Sequence, residues 1–202
     1  MRKFRYSDDG LEDVESSYSG DGSVRYIPNI KSIFIRGVIS EDLSRDFFDL
    51  VIDNYKDINT LIINSGGGNV SDGLAIGDVV KDLKLNTVGV GEVFSMGAYL
   101  FSLGEKRYAL PSTTFMIHNG YAVFPGDMSF NVTQSFQAFW SNIQANKVLD
   151  TIIRATNVEN KEEMKNHILL GQNVYWTTED ALSCGFVSSI VNFTDLMDGN
   201  IS

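Results

Sequence analysis

The sequence predicts an α/β protein built around a largely parallel sheet. From residue 30 onward, short apolar segments rich in β-branched residues alternate with segments whose apolar residues recur at helical spacing. That alternation is typical of a β-α-β-α succession. The chain has 18 glycines among 202 residues, which indicates tight turns and close backbone approaches, and its hydrophobic share of 43% is enough for one sizeable core.

The first half of this succession can be followed element by element. Residues 32–38 form a β-branched apolar run, and Ser40 is predicted to cap a helix whose first turn carries Glu41 and Asp42. The next elements are predicted in this order: a strand over 60–63, a glycine loop over 64–68, a helix over 71–83, a strand over 87–90, a helix over 95–103, and short strands over 108–110 and 114–117.

The second half begins with one long helical segment over residues 128–155. Its apolar residues lie roughly along one stripe, and a helix of this length on a small domain often projects beyond the core. Three shorter elements are predicted after it: a helix capped by Asn160 with Glu163, a helix capped by Thr177 with Asp180, and a last strand over 186–190.

The two ends of the chain differ from its middle. Residues 1–29 have few apolar residues and no sustained period, which predicts a mobile or partner-dependent arm, or else a short hairpin around Asp21-Gly22. Residues 30–192 are predicted to form the folded domain, and residues 193–202 a short C-terminal tail.

Charge and composition exclude several classes of protein. With 16 Lys and Arg against 26 Asp and Glu, the net charge is −10 and no basic stripe is present, so nucleic acid is not an expected partner. We expect no membrane span, since no apolar run reaches the roughly 18 residues required. The first ten residues carry charge without an apolar segment after it, so a secretory signal is not expected. Cys184 is the single cysteine, which fits a reducing compartment. We therefore expect a cytoplasmic protein. No His, Cys and carboxylate cluster suggests a metal, and none is predicted.

The glycine segment over residues 64–68 is the first of three places where chemistry is indicated. It lies between a strand and a helix but lacks the lysine of a phosphate-binding loop. Three glycines before a helix can expose backbone N–H groups to an oxyanion or a phosphate. The alternative is a tight turn with no ligand.

Ser95 and His118 are the other two places. Ser95 starts a predicted helix, where the positive end of the helix dipole favours a developing alkoxide, although the serine could instead serve only as an N-cap. His118 ends an apolar strand just before a glycine-containing turn, a placement that suits a general base or a structural histidine. His167, the second of only two histidines, lies inside a helix and is interpreted as incidental.

Five ordered segments together resemble the Clp peptidase family, the proteolytic subunit of the ATP-dependent Clp protease. The segments are Ile62-Ile63-Asn64-Ser65-Gly66-Gly67-Gly68, Ser95-Met96-Gly97-Ala98, Arg107-Tyr108-Ala109-Leu110-Pro111, Met116-Ile117-His118, and Thr178-Glu179-Asp180-Ala181 before Gly185. The resemblance covers residues 30–192. It implies a ClpP/crotonase-like α/β fold of repeated β-β-α units with a protruding long handle helix.

The resemblance also implies a role for each matched position. Ser95 would be the nucleophile, His118 the general base, and the backbone N–H groups of Gly68 and Met96 the oxyanion hole. The Asp that completes the family's triad falls on Asn173 when counted back from Gly185, with Asp180 in reserve if that register is wrong.

The sequence departs from the family in three positions. Asn173 can still accept a hydrogen bond from an imidazole N–H, but it carries no charge to offset an imidazolium. Gln172 replaces an Arg that takes part in contacts between stacked rings, so the stacking of rings is in question. Gly66 replaces a Pro and makes the oxyanion segment more flexible.

Substrate contacts are implied on two sides of the site. The resemblance predicts that an extended peptide pairs with an edge strand over residues 120–127, with Tyr121, Ala122, Val123 and Phe124 beside it. Gly66, Gly67 and Asn69 would serve the opposite side.

The leading hypothesis is therefore a Clp-type serine endopeptidase that degrades unfolded polypeptides inside a ring-shaped chamber. It would form a homo-oligomeric ring, a heptamer that can stack as a tetradecamer, and would work with a separate Clp-type ATPase unfoldase that alone consumes ATP. No cofactor is expected. Three alternatives remain: a dedicated processing protease on the same fold, such as a viral one acting in the host cytoplasm, an acyl-CoA enzyme of crotonase type, and a non-catalytic ring scaffold.

Overall fold

The computed structural model describes residues 22–120 and 130–201. Its strands are β1 (Ser23–Ile27), β2 (Ser32–Ile39), β3 (Thr60–Gly68), β4 (Asn86–Phe94), β5 (Arg107–Ala109), β6 (Thr114–Ile117), β7 (Val174–Thr177) and β8 (Ser189–Ile190). Its helices are α1 (Glu41–Asn54), α2 (Val70–Asp82), α3 (Met96–Ser102), α4 (Phe130–Ile143), α5 (Asp150–Arg154), α6 (Lys161–Leu169), α7 (Thr178–Ser183) and α8 (Phe193–Met197). A 3-10 turn over Pro28–Ile30 follows β1, and a π-helical segment over Gln144–Leu149 joins α4 to α5.

The described strands form one mixed sheet that branches at β4. The main path is β1-β2-β3-β4-β5-β8, and it is parallel except for the antiparallel pairing of β1 with β2. Residues 87–89 of β4 pair with β5, whereas residues 92–94 pair with β6, which in turn pairs antiparallel with β7. Gly91, with φ 67°, lies between the two pairings. The branch places the end of β4 beside the end of β6.

Apolar side chains cover both faces of this sheet. The larger core contains alternate residues of β2 and β3, packed with apolar residues of α1, α2, α3, α5 and α6. At its centre, the rings of Phe101, Phe115 and Phe186 have centroids 5.0 to 5.4 Å apart. A smaller cluster on the opposite face includes Ile62 and Tyr108 and is covered by Leu196 of α8. The mixed α/β architecture confirms the predicted fold class.

The predicted helix starts are confirmed by their hydrogen bonds. The Ser40 hydroxyl accepts from the N–H of Leu43 at 3.3 Å. Asn160 accepts from the N–H of Glu163 at 3.2 Å. Thr177 and Asp180 form a reciprocal capping box at the start of α7. These signals are local, which is why the sequence reveals them.

The predicted glycine loop over residues 64–68 is wrong, because β3 continues through it to Gly68. Val38 pairs with Gly67 and Ile39 pairs with Gly68. A Cβ at Gly68, where φ is 146°, would overlap the carbonyl oxygen of Ile39. The absence of a side chain therefore allows the strand to continue.

The predicted last strand over residues 186–190 is too long, since β8 contains only Ser189–Ile190. Phe186 instead packs into the aromatic centre of the core. Its carbonyl accepts a hydrogen bond from Arg107 Nε at 2.8 Å. Phe186 is therefore held by the Arg107 side chain and is not part of a strand.

The long helix over residues 128–155 is present as α4, the π-helical segment and α5, and residues 128–129 lie outside the described part. Residues 23–29, within the predicted arm, belong to β1 and the 3-10 turn. Within the predicted tail, α8 packs on the sheet through Leu196. In the part of the chain that the structure describes, no helix combines the length and the hydrophobicity needed to cross a membrane.

Candidate active site

Ser95 lies at the junction of β4 and α3 in a backbone conformation that is rare for a residue with a side chain. Its φ is 53° and its ψ is −118°. The hydroxyl makes no capping hydrogen bond to α3, so the interpretation of Ser95 as only an N-cap is wrong. Its backbone N–H donates to the carbonyl of Met116 on β6 at 2.8 Å. A strained serine at a strand-to-helix turn is the arrangement that presents a nucleophilic hydroxyl in α/β-hydrolases.

His118 follows β6 and reaches the serine hydroxyl. Its Nε2 lies 2.8 Å from Ser95 Oγ. The pairing of Phe94 with Met116 places the two strand ends side by side, and each functional residue lies just beyond its strand. Burial lowers the pKa of His118, because it penalises the charged imidazolium. The neutral ring is thereby favoured, and in the tautomer with Nδ1 protonated its Nε2 is able to accept a proton from Ser95.

The backbone of Gly67 comes close to the serine. Its φ is 101°, and a Cβ there would lie 2.6 Å from Ser95 Cβ and 3.1 Å from Ser95 Oγ. Ser65, fully buried, holds this segment: its hydroxyl donates to the carbonyl of Gly37 at 2.7 Å and accepts from the N–H of Gly67 at 3.0 Å. The N–H of Gly67 is therefore already bonded.

The N–H of the next residue, Gly68, points toward the serine side of β3. Gly68 pairs with Ile39, whose carbonyl accepts from the N–H of Asn69 at 2.7 Å. In a parallel ladder, the N–H groups of successive residues point alternately to the two sides of the strand. Because the N–H of Asn69 points to β2, the N–H of Gly68 points away from β2. That side is the one occupied by β4, which ends at Phe94, directly before Ser95. Met96 begins α3, where first-turn N–H groups have no partner within the helix.

Asn173 lies across the β6–β7 ladder from His118 but is not bonded to it. Ile117 pairs with Val174, and one further step of this antiparallel register places His118 opposite Asn173. The amide Nδ2 of Asn173 donates to the hydroxyl of Tyr175 at 3.4 Å. The hydrogen bonds of residues 22–120 and 130–201 include none between Asn173 and His118.

Two other predicted residues act in helix capping. Asp180 accepts from the N–H and hydroxyl of Thr177 at 3.2 and 3.0 Å, at the end of β7 remote from Asn173. Asn69 accepts from the N–H groups of Ser71 and Asp72 at 2.8 and 3.3 Å. Both side chains therefore stabilise the first turn of a helix.

The remaining predicted residues are distributed as follows. Gly66 belongs to β3 next to Gly67, and Gln172 lies in the turn before β7. His167 is in the last turn of α6. Tyr121, Ala122, Val123 and Phe124 lie outside the described residues. Across the described ranges, no group of three or more His, Cys, Asp and Glu side chains is arranged to hold a metal ion.

Sequence reasoning missed two side chains at this site, Ser65 and Tyr175. Tyr175 could have been found, because period-two alternation in a strand places residues 173 and 175 on the same face. No local pattern reveals the role of Ser65. Its bond to Gly37 joins residues 28 positions apart.

The fold and the site together define an α/β protein in which a serine and a histidine are in hydrogen-bond contact where the sheet branches. The family model described as Clp protease matches residues 22–194. The chain belongs to the Clp protease family, a class of peptidases, as the ordered motifs predict. A similar solved structure is that of an Asn-to-Asp mutant of ClpP1 from Listeria monocytogenes, with a TM-score of 0.69 and 24% identity. That match covers 84% of this chain and 95% of the other, and it confirms the ClpP-like fold.

Proposed function

We propose that this chain is a serine endopeptidase of the Clp type, with Ser95 as nucleophile and His118 as general base. The observation that carries the proposal is the 2.8 Å contact between Ser95 Oγ and His118 Nε2, made by a serine whose backbone is strained. A serine and a neutral imidazole at this distance are the minimal pair for acyl transfer.

The chemistry follows from these two side chains. Ser95 Oγ attacks the carbonyl carbon of a peptide bond while its proton moves to His118 Nε2. The tetrahedral intermediate collapses as the imidazolium returns that proton to the leaving amine, which leaves an ester on Ser95. Water then attacks the ester, again giving its proton to His118, and the acid product leaves as the proton returns to Ser95.

Two backbone groups are the proposed oxyanion hole. The N–H groups of Gly68 and Met96 belong to the segments that flank Ser95 on either side, and the N–H of Gly67 is already bonded to Ser65. Donors held in place before the reaction stabilise the developing negative charge without reorganisation. Gly66 gives this segment a flexibility that a Pro would remove.

Asn173 is the proposed third member of the catalytic set. Its Oδ1 can accept from the Nδ1–H of His118 and so hold the ring in the required tautomer. The side chain must turn across the ladder to do so, because its amide is bonded to Tyr175. An Asn orients the imidazole without offsetting its charge, as in papain-like cysteine proteases.

The proposed substrate is an extended, unfolded polypeptide. Gly66, Gly67 and Asn69 would contact it on one side and residues 121–124 on the other by β-strand addition. We propose a cytoplasmic homo-heptameric ring that works with a separate ATP-consuming unfoldase and needs no cofactor of its own. Helix α4 supports stacking of two rings, since its sequence contains no charged residue and the Phe139 ring is 58% exposed. Gln172 carries no charge, so it cannot form a salt bridge across that contact between rings.

A non-catalytic ring subunit is the second candidate. The observation that favours it is the absence, among the described residues, of a hydrogen bond between His118 and Asn173. Without that bond the imidazole lacks its orienting partner, and catalysis would be slow.

The deciding experiment is labelling of the full chain with a fluorophosphonate, read by intact mass. We expect one adduct, which disappears in Ser95→Ala and persists in Ser183→Ala, a matched change at an exposed serine of α7. An adduct that survives Ser95→Ala would refute the assignment of the nucleophile. Absence of any adduct, with and without an unfoldase present, would favour the non-catalytic subunit.

A further inference from the structure

The β6–β7 ladder sorts its side chains into two faces. Ile117 and Val174, which are directly paired, are both buried in the core. Because side chains alternate along each strand, the neighbouring residues point to the opposite face. That face carries His118 on the β6 side and Asn173 and Tyr175 on the β7 side.

Asn173 therefore has two possible partners on one face. Directly across the ladder, where side chains of an antiparallel pair approach most closely, is His118. Tyr175 lies two residues further along the chain, in β7, and is 45% exposed. The structure shows the amide turned along the strand, with Nδ2 donating to the Tyr175 hydroxyl at 3.4 Å.

The bond to Tyr175 is weak enough to be exchanged. Its length of 3.4 Å lies beyond the usual range for an N–H···O hydrogen bond, and both partners are in contact with solvent. A bond of this kind shifts the balance between two side-chain orientations by about two- to tenfold. That is sufficient to control how often Asn173 faces His118.

We propose that Tyr175 is a positioning residue that holds the Asn173 amide away from His118. The inference rests on the proposed function, in which Asn173 orients the imidazole. Removal of the Tyr175 hydroxyl frees the amide to turn across the ladder and accept from His118 Nδ1–H. Tyr175 thus lowers the population of the aligned site in the isolated chain.

The surroundings of His118 make this exchange observable. The described residues that flank His118 in the chain, contact it or lie across the ladder from it have no acidic or basic side chain: Ser95, Met116, Asn119, Asn173 and Tyr175. A hydrogen bond from the ring to Asn173 stabilises the imidazolium more than the neutral ring, because a charged donor bonds more strongly. The bond therefore raises the pKa of His118.

The first test is an NMR titration of His118, which is feasible because the chain has only two histidines. Four proteins are compared: wild type, Tyr175→Phe, Asn173→Ala and the double variant. We expect the pKa of His118 to be higher in Tyr175→Phe than in wild type, and to be the same in Asn173→Ala and the double variant. The matched control is Tyr55→Phe, which removes the same oxygen from a tyrosine that is 49% exposed at the end of α1. Coinciding titrations of Tyr175→Phe and wild type would overturn the proposal.

The second test is the rate of fluorophosphonate labelling of Ser95 in the same proteins. We expect Tyr175→Phe to react about two- to tenfold faster than wild type, and the double variant to show no such gain over Asn173→Ala. The acid limb of the pH profile should move to higher pH in Tyr175→Phe, a shift that a purely structural role of Tyr175 would not produce.

The two tests separate this proposal from the proposed function. If the His118 titration shifts as expected but no variant labels Ser95, Tyr175 controls Asn173 while the peptidase assignment fails. If Ser95 labels in wild type but Tyr175→Phe changes neither the titration nor the rate, the peptidase assignment stands and the positioning role of Tyr175 is refuted.

Discussion

Replacement of Gly67 by Ala tests whether the glycine segment works through its close approach to Ser95. Gly67 has a φ of 101°, and a Cβ added there would lie 2.6 Å from Ser95 Cβ. Gly199 also has a positive φ, of 71°, but a Cβ there would meet nothing within 4 Å. Gly199→Ala is therefore the matched control, because it carries the backbone strain without the contact.

The two effects can be separated by size. Backbone strain at a positive φ costs on the order of 1–3 kcal/mol of stability in either variant. At Gly67 the new methyl group must also gain about 1 Å to reach the usual carbon–carbon separation of about 3.5–4.0 Å. Displacement of a reacting group by about 1 Å lowers a rate by about 100-fold. We expect Gly67→Ala to lose that factor in Ser95 labelling, and Gly199→Ala to label at the wild-type rate.

The assay is fluorophosphonate labelling of each folded variant, with urea unfolding to measure the free energy of unfolding. Comparable losses of stability with a large difference in labelling rate would support the reasoning. Equal labelling rates of Gly67→Ala and Gly199→Ala would refute it, because the approach of the segment to Ser95 would then have no consequence for reactivity.

Three further predictions concern the residues that support the site. Ser65→Ala removes one buried and one partly buried hydrogen bond and leaves the N–H of Gly67 without its partner. We therefore expect a loss of about 2–3 kcal/mol in urea unfolding and slower labelling, and unchanged stability would contradict this expectation. Arg107 donates to four backbone carbonyls at 2.8 to 3.3 Å. Arg107→Met should therefore lower the free energy of unfolding by about 2–3 kcal/mol. Arg107→Lys should restore little of this stability, because lysine lacks the planar guanidinium group. Burial lowers the pKa of His118. Since the neutral ring is the proposed base, activity should fall on acidification with a midpoint below the ordinary histidine value of about 6.5. A midpoint above that value would count against burial as the main influence on the pKa of His118.

Much of the fold could be predicted from the sequence, because its signals act over short distances. The caps at Ser40 and Thr177 depend on residues three positions apart, and both are confirmed. Helices α2 and α3 begin and end within one residue of the prediction. The ordered motifs also predict the family, which the match over residues 22–194 confirms.

The errors arise where distant residues override local signals. The glycines of residues 66–68 suggest a loop, yet they continue β3 because β2 lies close enough to pair with them. Phe186 suggests a strand, yet the aromatic centre and Arg107 hold it outside the sheet. Neither partner is near in sequence.

The candidate site divides in the same way. By itself the sequence determined which residues are proposed to carry the chemistry, Ser95, His118 and Asn173, because residue type and order are written in the chain. Only the tertiary structure decided how they meet. The branch of the sheet at β4 brings Ser95 Oγ within 2.8 Å of His118 Nε2, whereas the amide of Asn173 is bonded to Tyr175. A hydrogen bond depends on distances of a few ångströms between strands, and those distances exist only once the whole sheet has formed.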